Sequence, residues 1–299
     1  MRPVSLLVIS LLLAACAATA AGCTRTPATG TPDPAAGTPD PAATATDGRP
    51  LSISVTAEQW RVHEVNRQLA IALHNNGTTP VRVSRVEPDL PSFEGESGVD
   101  TDALLPVGGL RVDVPVPFGA GGCGPAGADA SRVVVTARPE GAADWQRVTL
   151  DLPHPNPLLD KLLATDCAAQ RVRDSVTLAF GPWQDLGPDG VRGSLEITRT
   201  GAAGGTVRIT ELDGNVLYRL AFPRGGTAEV SAARPTAAIP IVVTPLRCDL
   251  HAFAEVKKPF EFPVHVALDG REPLAGTVGV DEDDKTALDT MLRRICKVP

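Results

Sequence analysis

The sequence predicts a mainly β protein: two tandem immunoglobulin-like β-sandwich domains, each ending in a short disulfide-tethered helix, behind a signal peptide and a disordered linker. Three observations lead there. Apolar and polar residues alternate in short runs broken by turn residues, the period of half-buried strands. The pattern of the first half returns in the second at a shift of about 126 residues. The 299 residues include 28 Gly and 28 Pro without a Gly-X-Y period, which suits a turn-rich globular chain. At about 100 to 200 residues per domain, the length accommodates two cores.

Residues 1–22 carry an early positive charge, Arg2, then an apolar run from Val4 to Leu13 and a stretch of Ala and Thr. This is the plan of an export signal. The run is too short to span a bilayer, and no later segment approaches about 20 apolar residues. Two cysteines follow small residues, in Leu13-Ala14-Ala15-Cys16 and Ala20-Ala21-Gly22-Cys23. Both resemble the lipobox of bacterial lipoproteins, and the resemblance implies that the cysteine becomes an acylated N-terminus. Leu13 makes Cys16 the better consensus match. Cysteine parity favours Cys23, because its use as anchor leaves an even four cysteines in an oxidising compartment. Cys23 is therefore the expected lipid attachment site, with Cys16 as the alternative. Residues 23–50 are almost entirely Thr, Pro, Ala, Gly and Asp, with Thr-Pro-Asp-Pro-Ala-Ala at Thr31 and again at Thr38. A segment without large apolar side chains cannot offset its ordering entropy, so it is expected to be an extended tether.

Two repeats are expected next, over 51–171 and 172–299. Leu69, Ile71, Val81 and Val83 fall on Leu195, Ile197, Val207 and Ile209 at one constant spacing. Upstream, Leu51, Ile53, Val55 and Trp60 match Val176, Leu178, Phe180 and Trp183. Leu69–Leu73, an Asn75-Asn76-Gly77 turn and Val81–Ser84 read as a hairpin of strand, turn and strand, and their partners after Leu195 have the same plan. About seven short strands in about 120 residues suggest a sandwich. One helix closes each half. Asn156 and Pro157 start the first, whose apolar face of Leu158, Leu159, Leu162 and Leu163 runs to Cys167. The second begins at Asp283-Asp284 and runs through Leu288, Met291, Leu292 and Ile295 to Cys296. Four cysteines allow three pairings. The repeat selects Cys123 with Cys167 and Cys248 with Cys296, because a bridge belonging to the duplicated unit is copied with it.

The stretch Arg247-Cys248-Asp249-Leu250-His251-Ala252-Phe253-Ala254-Glu255-Val256-Lys257, with Phe262-Pro263-Val264 and Cys296, resembles an uncharacterised group of actinobacterial secreted and lipid-anchored proteins with tandem Ig-like domains. The resemblance implies fold and location and brings no activity with it.

Charge and composition narrow the function. A formal net charge of −7 and a pI near 5.3 offer nothing to a phosphate backbone, so nucleic acid is not an expected partner. With 4% aromatic residues, stacking surfaces for sugars or bases have little material. Gly119-Ala120-Gly121-Gly122-Cys123-Gly124 fits GxGxxG, but Pro125-Ala126-Gly127 continues the loop where a dinucleotide site needs a helix. Of His63, His74, His154, His251 and His265, none forms HExxH. His251 and Glu255 are spaced for one helix face and make half a zinc site at most. Asp89, Glu94, Glu96, Asp100 and Asp102 crowd what reads as a long loop, and Asp281-Glu282-Asp283-Asp284 precedes the last helix, where negative charge suits the dipole. Neither has EF-hand spacing. No GxSxG, SxxK or Walker A motif is present. The expectation is a non-enzymatic envelope lipoprotein on the outer face of the cytoplasmic membrane. It would bind another envelope component through a surface that includes His251, Glu255, Asp89, Glu94 and Glu96. No catalytic residue, cofactor or metal ligand is expected. The alternative is an envelope enzyme or metal-dependent hydrolase using His251 and Glu255 or the acidic loop 89–102.

Overall fold

The computed structural model describes residues 51–299 apart from 96–97, 125–127, 202–204, 222–227 and 299. The signal segment, Cys16, Cys23, the tether and Glu96 lie outside the described residues. The rest is mainly β: four antiparallel sheets, four α-helices and two disulfides.

In the first half the order is β1 (Ile53–Glu58), α1 (Arg61–Asn66), β2 (Gln68–Asn75), β3 (Val81–Asp89), β4 (Val99–Leu105), β5 (Arg111–Pro117), β6 (Arg132–Pro139), β7 (Gln146–Asp151) and α2 (Pro157–Ser175). Strands β1-β2-β5 form one sheet and β4-β3-β6-β7 the other. Alternation does the placing: in β1 and β6 every second side chain is buried. Leu69, Ile71 and Leu73 of β2 share one core with Val83 and Val86 of β3 and with Val133 and Val135 of β6. Each such side chain contributes about 1.5–3 kcal/mol on burial.

The second half runs β8 (Val176–Phe180), β9 (Gln184–Asp185), β10 (Val191–Arg199), β11 (Val207–Leu212), β12 (Tyr218–Ala221), β13 (Glu229–Val230), β14 (Thr236–Pro245), α3 (Leu250–Glu255), β15 (Pro263–Leu268), β16 (Leu274–Thr277) and α4 (Glu282–Cys296). Its sheets are β12-β14-β10-β8, with β9 on β10, and β13-β11-β15-β16. Setting β8, β10 and β14 against β1, β2 and β5, and β13, β11, β15 and β16 against β4, β3, β6 and β7, reproduces both sheet orders. Strand β12 is an addition. A second core gathers Leu195, Ile197, Ile209, Ile241, Val266 and Leu292.

One expectation fails in an informative way. Strands β2 and β3 do not pair; β2 lies between β1 and β5, and β3 between β4 and β6, so the Asn-Gly segment carries the chain from one sheet to the other. Buried Asn75 makes the crossing. Its Nδ2 donates to the carbonyls of Thr79 (2.8 Å) and Leu105 (3.2 Å), and its Oδ1 accepts from Gly77 N (2.9 Å). A side chain that satisfies backbone groups of the turn and of β4 replaces the ladder a hairpin would have made. Strands β10 and β11 likewise belong to different sheets.

The helices also differ from expectation. Asn156 does cap α2, accepting from Leu158 N and Leu159 N at 3.1 and 3.2 Å. The helix does not stop at Cys167. It continues for about two more turns and runs straight into β8 at Val176. Leu159 and Leu163 lie in the first core, whereas Val172 lies in the second. Gly276 of β16 leaves the room: a Cβ there would sit 3.0 Å from Val172 Cγ1. Burial of Val172 is what repays the extra turns, and the expected boundary at 171/172 therefore falls inside a helix. Cys167 is mid-helix, while Cys296 ends α4.

Both expected bridges form, Cys123–Cys167 and Cys248–Cys296, with Cα separations of 5.4 and 5.1 Å. They close loops of 44 and 48 residues, each worth about 4 kcal/mol in a chain-entropy account. Replacing Cys123 and Cys167 by Ser should lower the unfolding free energy by about that amount in a denaturant titration; an unchanged midpoint would deny the bridge a structural role. Val172→Ala should cost about 2 kcal/mol and raise amide exchange in β8 and β16. Unaltered protection in both strands would contradict the packing described for α2.

Candidate functional site

The acidic stretch is organised differently from the long loop that was expected. Asp89 ends β3, and Asp100 and Asp102 lie on β4, so only residues 90–98 connect the two strands. Val99, Ala103 and Leu105 turn inward from β4 and draw the segment into the sheet. The carboxylates point outward and pair across strands: Arg82 with Asp102 (2.6 Å), Arg85 with Asp100 (2.6 Å) and Arg132 with Asp89 (2.9 Å). Such exposed pairs are worth at most about 1 kcal/mol each. Charged residues along the edge strand β4 also discourage edge-to-edge association. Glu94 is exposed and unlike the others stands in the connection itself, where its backbone N donates to Ala120 O at 2.8 Å.

The glycine-rich segment is a packing device. A Cβ on Gly119 would fall 1.5 Å from Glu94 O, so only glycine allows that approach. Arg67, in the left-handed region at φ 52°, caps α1 and reaches across to Gly119 O (2.6 Å) and to the Asp166 carboxylate of α2. Asp166 Oδ2 in turn accepts from Gly121 N at 2.8 Å. This clasp seats the loop beside Cys123, and the Arg67 guanidinium lies over the Phe118 ring, 4.7 Å from its centroid.

The Arg247–Lys257 motif is likewise structural in most of its residues. Asp249 caps α3 through Ala252 N (2.9 Å) and accepts two bonds from Arg247, at 2.9 and 3.0 Å. Those bonds, the Arg247 ones first, hold its carboxyl below the usual range. Ala252 is buried, Phe253 packs against the second core, and Cys248 is tied to the end of α4. His251 and Glu255 are what remain. Their side chains are 70% and 65% exposed, with Nε2 and Oε2 3.5 Å apart. Among the described residues no third ligating group joins them. Asp89, Glu94, His251 and Glu255 do not form one site: the first two belong to β3 and its connection, the others to α3.

At the start of α4 the acidic run forms a capping box. Asp281 Oδ1 accepts from Asp284 N (2.8 Å), Asp284 Oδ2 accepts from Asp281 N (3.2 Å), and Trp183 Nε1 donates to Asp284 Oδ1 (2.8 Å). Nearby, Trp183, Asp185, Met291 and Arg294 line a hollow of about 290 Å³. A larger one, about 470 Å³, opens between α2, β8 and β16 and is walled by Val172, Arg173, Leu178 and Val278. No described helix is long and apolar enough to cross a membrane.

Glu211 and Asp213 belong to no motif in the sequence. The structure sets them beside His265, with the donor atoms of all three within 4.8 Å of one another. Their spacing of two at the end of β11 is a weak signal, and only the pairing of β11 with β15 brings the histidine to them.

No protein-family model matches the chain, and no curated protein matches it. Among solved structures it is similar to the CsuC–CsuE chaperone–tip adhesion subunit complex of Acinetobacter baumannii Csu pili. The identity is 10% and the TM-score 0.21, covering 77% of this chain and 100% of that one. It is also similar to CBD12 from CALX1.2, at 13% identity and TM-score 0.21, covering 81% and 93%. The B domain of a biofilm associated protein matches at 8% identity and TM-score 0.19, covering 82% and 89%. Scores of this size carry nothing about activity.

Burial pushes the Asp284 carboxyl up, the hydrogen bonds from Trp183 and from the Asp281 backbone pull it only partly back, and the Asp281 carboxylate adds to the rise. A folded chain that holds this proton longer than the unfolded chain gains stability from it below the ordinary carboxylate value, about 4. It loses that gain as pH rises through the raised value. The thermal midpoint of the wild type minus that of Asp284→Asn should therefore fall as pH rises above about 4. A difference independent of pH would show an unperturbed carboxyl.

Proposed function

We propose that this chain is a non-enzymatic lipoprotein of the cell envelope, displayed on the outer face of the cytoplasmic membrane, where it binds or positions another envelope component. The pair of disulfides carries the reading, since such bridges persist in oxidising compartments and are rare in the cytosol. We further read each half as an immunoglobulin-like sandwich. Three strands and four in the first half, and the same order with β9 and β12 added in the second, support that assignment. The repeats are then 51–171 and 172–299, sharing α2, behind the tether of 23–50. A scaffold of this kind leaves connections such as the one bearing Glu94, and short segments such as α3, to contact a partner.

Cys23 is the proposed anchor. Cys23→Ala should move the protein from the detergent phase to the aqueous phase in a cloud-point partition, while Cys16→Ala should not. Release by Cys16→Ala would transfer the anchor to that residue, and aqueous partitioning of the wild type would end the lipoprotein reading. A photo-cross-linking amino acid at Glu94 or His251 in intact cells should give a discrete adduct. Absence of adducts at both positions would count against these surfaces as the binding site.

A further inference from the structure

We propose that Glu211, Asp213 and His265 form a binding site for a divalent transition-metal ion on the outer face of the β13-β11-β15-β16 sheet. The inference does not depend on the binding role proposed above, and it uses none of the residues invoked there.

The site is produced by an irregularity in the strand pairing. Strands β11 and β15 begin in regular register, with Val207 opposite Leu268, Arg208 opposite Ala267 and Ile209 opposite Val266. The next partner of His265 would be Thr210. Instead the register shifts, and Glu211 stands opposite His265, with Leu212 opposite Val264. Directly opposed residues share a face of the sheet. The bulge therefore turns Glu211 outward beside His265 while Ile209, Leu212, Val264 and Val266 all stay buried. The burial of β11 has the corresponding two consecutive exposed positions, Thr210 and Glu211. Asp213 follows on the outward side, fixed by its backbone N donating to Pro263 O at 2.9 Å. Bulges of this kind re-aim side chains and are enriched next to sites.

An independent observation points to a ligand. His265 Nδ1 is shielded from solvent and makes no hydrogen bond among the described residues. Yet Glu211 Oε2 lies 3.2 Å from it. The contact makes an ion pair if the ring is protonated but is not a hydrogen bond, and its length also suits two ligands of one metal ion. Two ligands at about 2.0–2.1 Å from a tetrahedral ion stand about 3.3 Å apart. An imidazole nitrogen and a carboxylate oxygen at this spacing match one edge of such a polyhedron, and a carboxylate oxygen of Asp213 lies within 4.8 Å of both.

The donor set chooses the ion. One imidazole and two carboxylates suit zinc and its first-row neighbours, whereas calcium and magnesium take oxygen donors only. Three protein ligands on an exposed strand pair leave at least one position open to water or to a donor from another molecule. Binding requires Nδ1 unprotonated, with the ring proton on Nε2. The cation would also neutralise two carboxylates that otherwise face each other across a few ångströms.

The test is zinc titration of the full-length protein in detergent by calorimetry, with the thermal midpoint measured with and without zinc. The wild type should bind zinc and show a raised midpoint. His265→Ala and Glu211→Gln should each weaken binding by at least about tenfold, remove the zinc-dependent rise and leave the zinc-free midpoint close to that of the wild type. His251→Ala should change nothing, which separates this site from the other exposed His–Glu pair. Cobalt, used as a spectroscopic substitute, should give visible absorption that His265→Ala abolishes. No zinc binding, binding untouched by His265→Ala and Glu211→Gln, or binding lost in His251→Ala would each overturn the proposal.

Discussion

Helix α2 has to satisfy two cores with one rigid rod. Its first turns bury Leu159 and Leu163 among the strands of the first half, its last turns bury Val172 among those of the second, and it enters β8 with no intervening loop. The rod is held along its length: Asn156 at the start, Asp166 in the Arg67 clasp, Cys167 in a disulfide and Val172 against Gly276. Flexible linkers between duplicated units usually pass through polar, exposed chain. Here the connection is a hydrogen-bonded helix with apolar contacts on both sides, so bending it requires exposing buried side chains. The orientation of one half on the other is thus tied to the same packing that stabilises each.

The recurrence of one sheet order in both halves is matched by constraints that come in pairs and differ in detail. Each unit keeps its strand order, its closing helix and a bridge from that helix to the segment between the equivalents of β5 and β6. In the first unit the bridged segment is a glycine-rich loop locked by Arg67 and Asp166. In the second it is α3, capped by Asp249, whose carboxylate Arg247 holds. The staple is retained while its local support is solved anew. The helix starts differ in the same way, Asn156 alone in α2 and a reciprocal Asp281–Asp284 pair in α4. Asp284 has a further duty toward Trp183, which the Asn156 cap of α2 does not share.

Much of this was legible in the sequence, and the failures have a common cause. Strand positions, the two bridges and the Asn156 cap follow from patterns within a few residues or from the repeat, and the structure contains them. The crossing at Asn75 was misread because an Asn-Gly step between two alternating runs looks the same whether the runs pair or diverge. Only the distant Leu105 carbonyl, reached by Nδ2, distinguishes the cases. The length of α2 was underestimated because Val172 has its partners in β16, about a hundred residues later. Asp100 and Asp102 were read as loop residues because charge masks the inward alternation of Val99, Ala103 and Leu105. Local chemistry is readable; the choice of long-range partner is not.

The Glu211–Asp213–His265 arrangement is the sharpest case of that limit. Side-chain facing in a strand has a period of two, so a single inserted residue exchanges inside for outside over everything that follows. Read without the bulge, Ile209 and Glu211 share a face, and Glu211 would be a buried carboxylate beside Val264. A strand so read contradicts itself, since Leu212 would then face solvent. Buried Leu212 at 4% exposure resolves the conflict in favour of a shift at Thr210. The apolar residues therefore determine where the bulge must lie, and the bulge determines that an acidic side chain meets a histidine. The hydrophobic requirement of the core is met by moving one register step, and the polar cluster on the outer face is the geometric consequence.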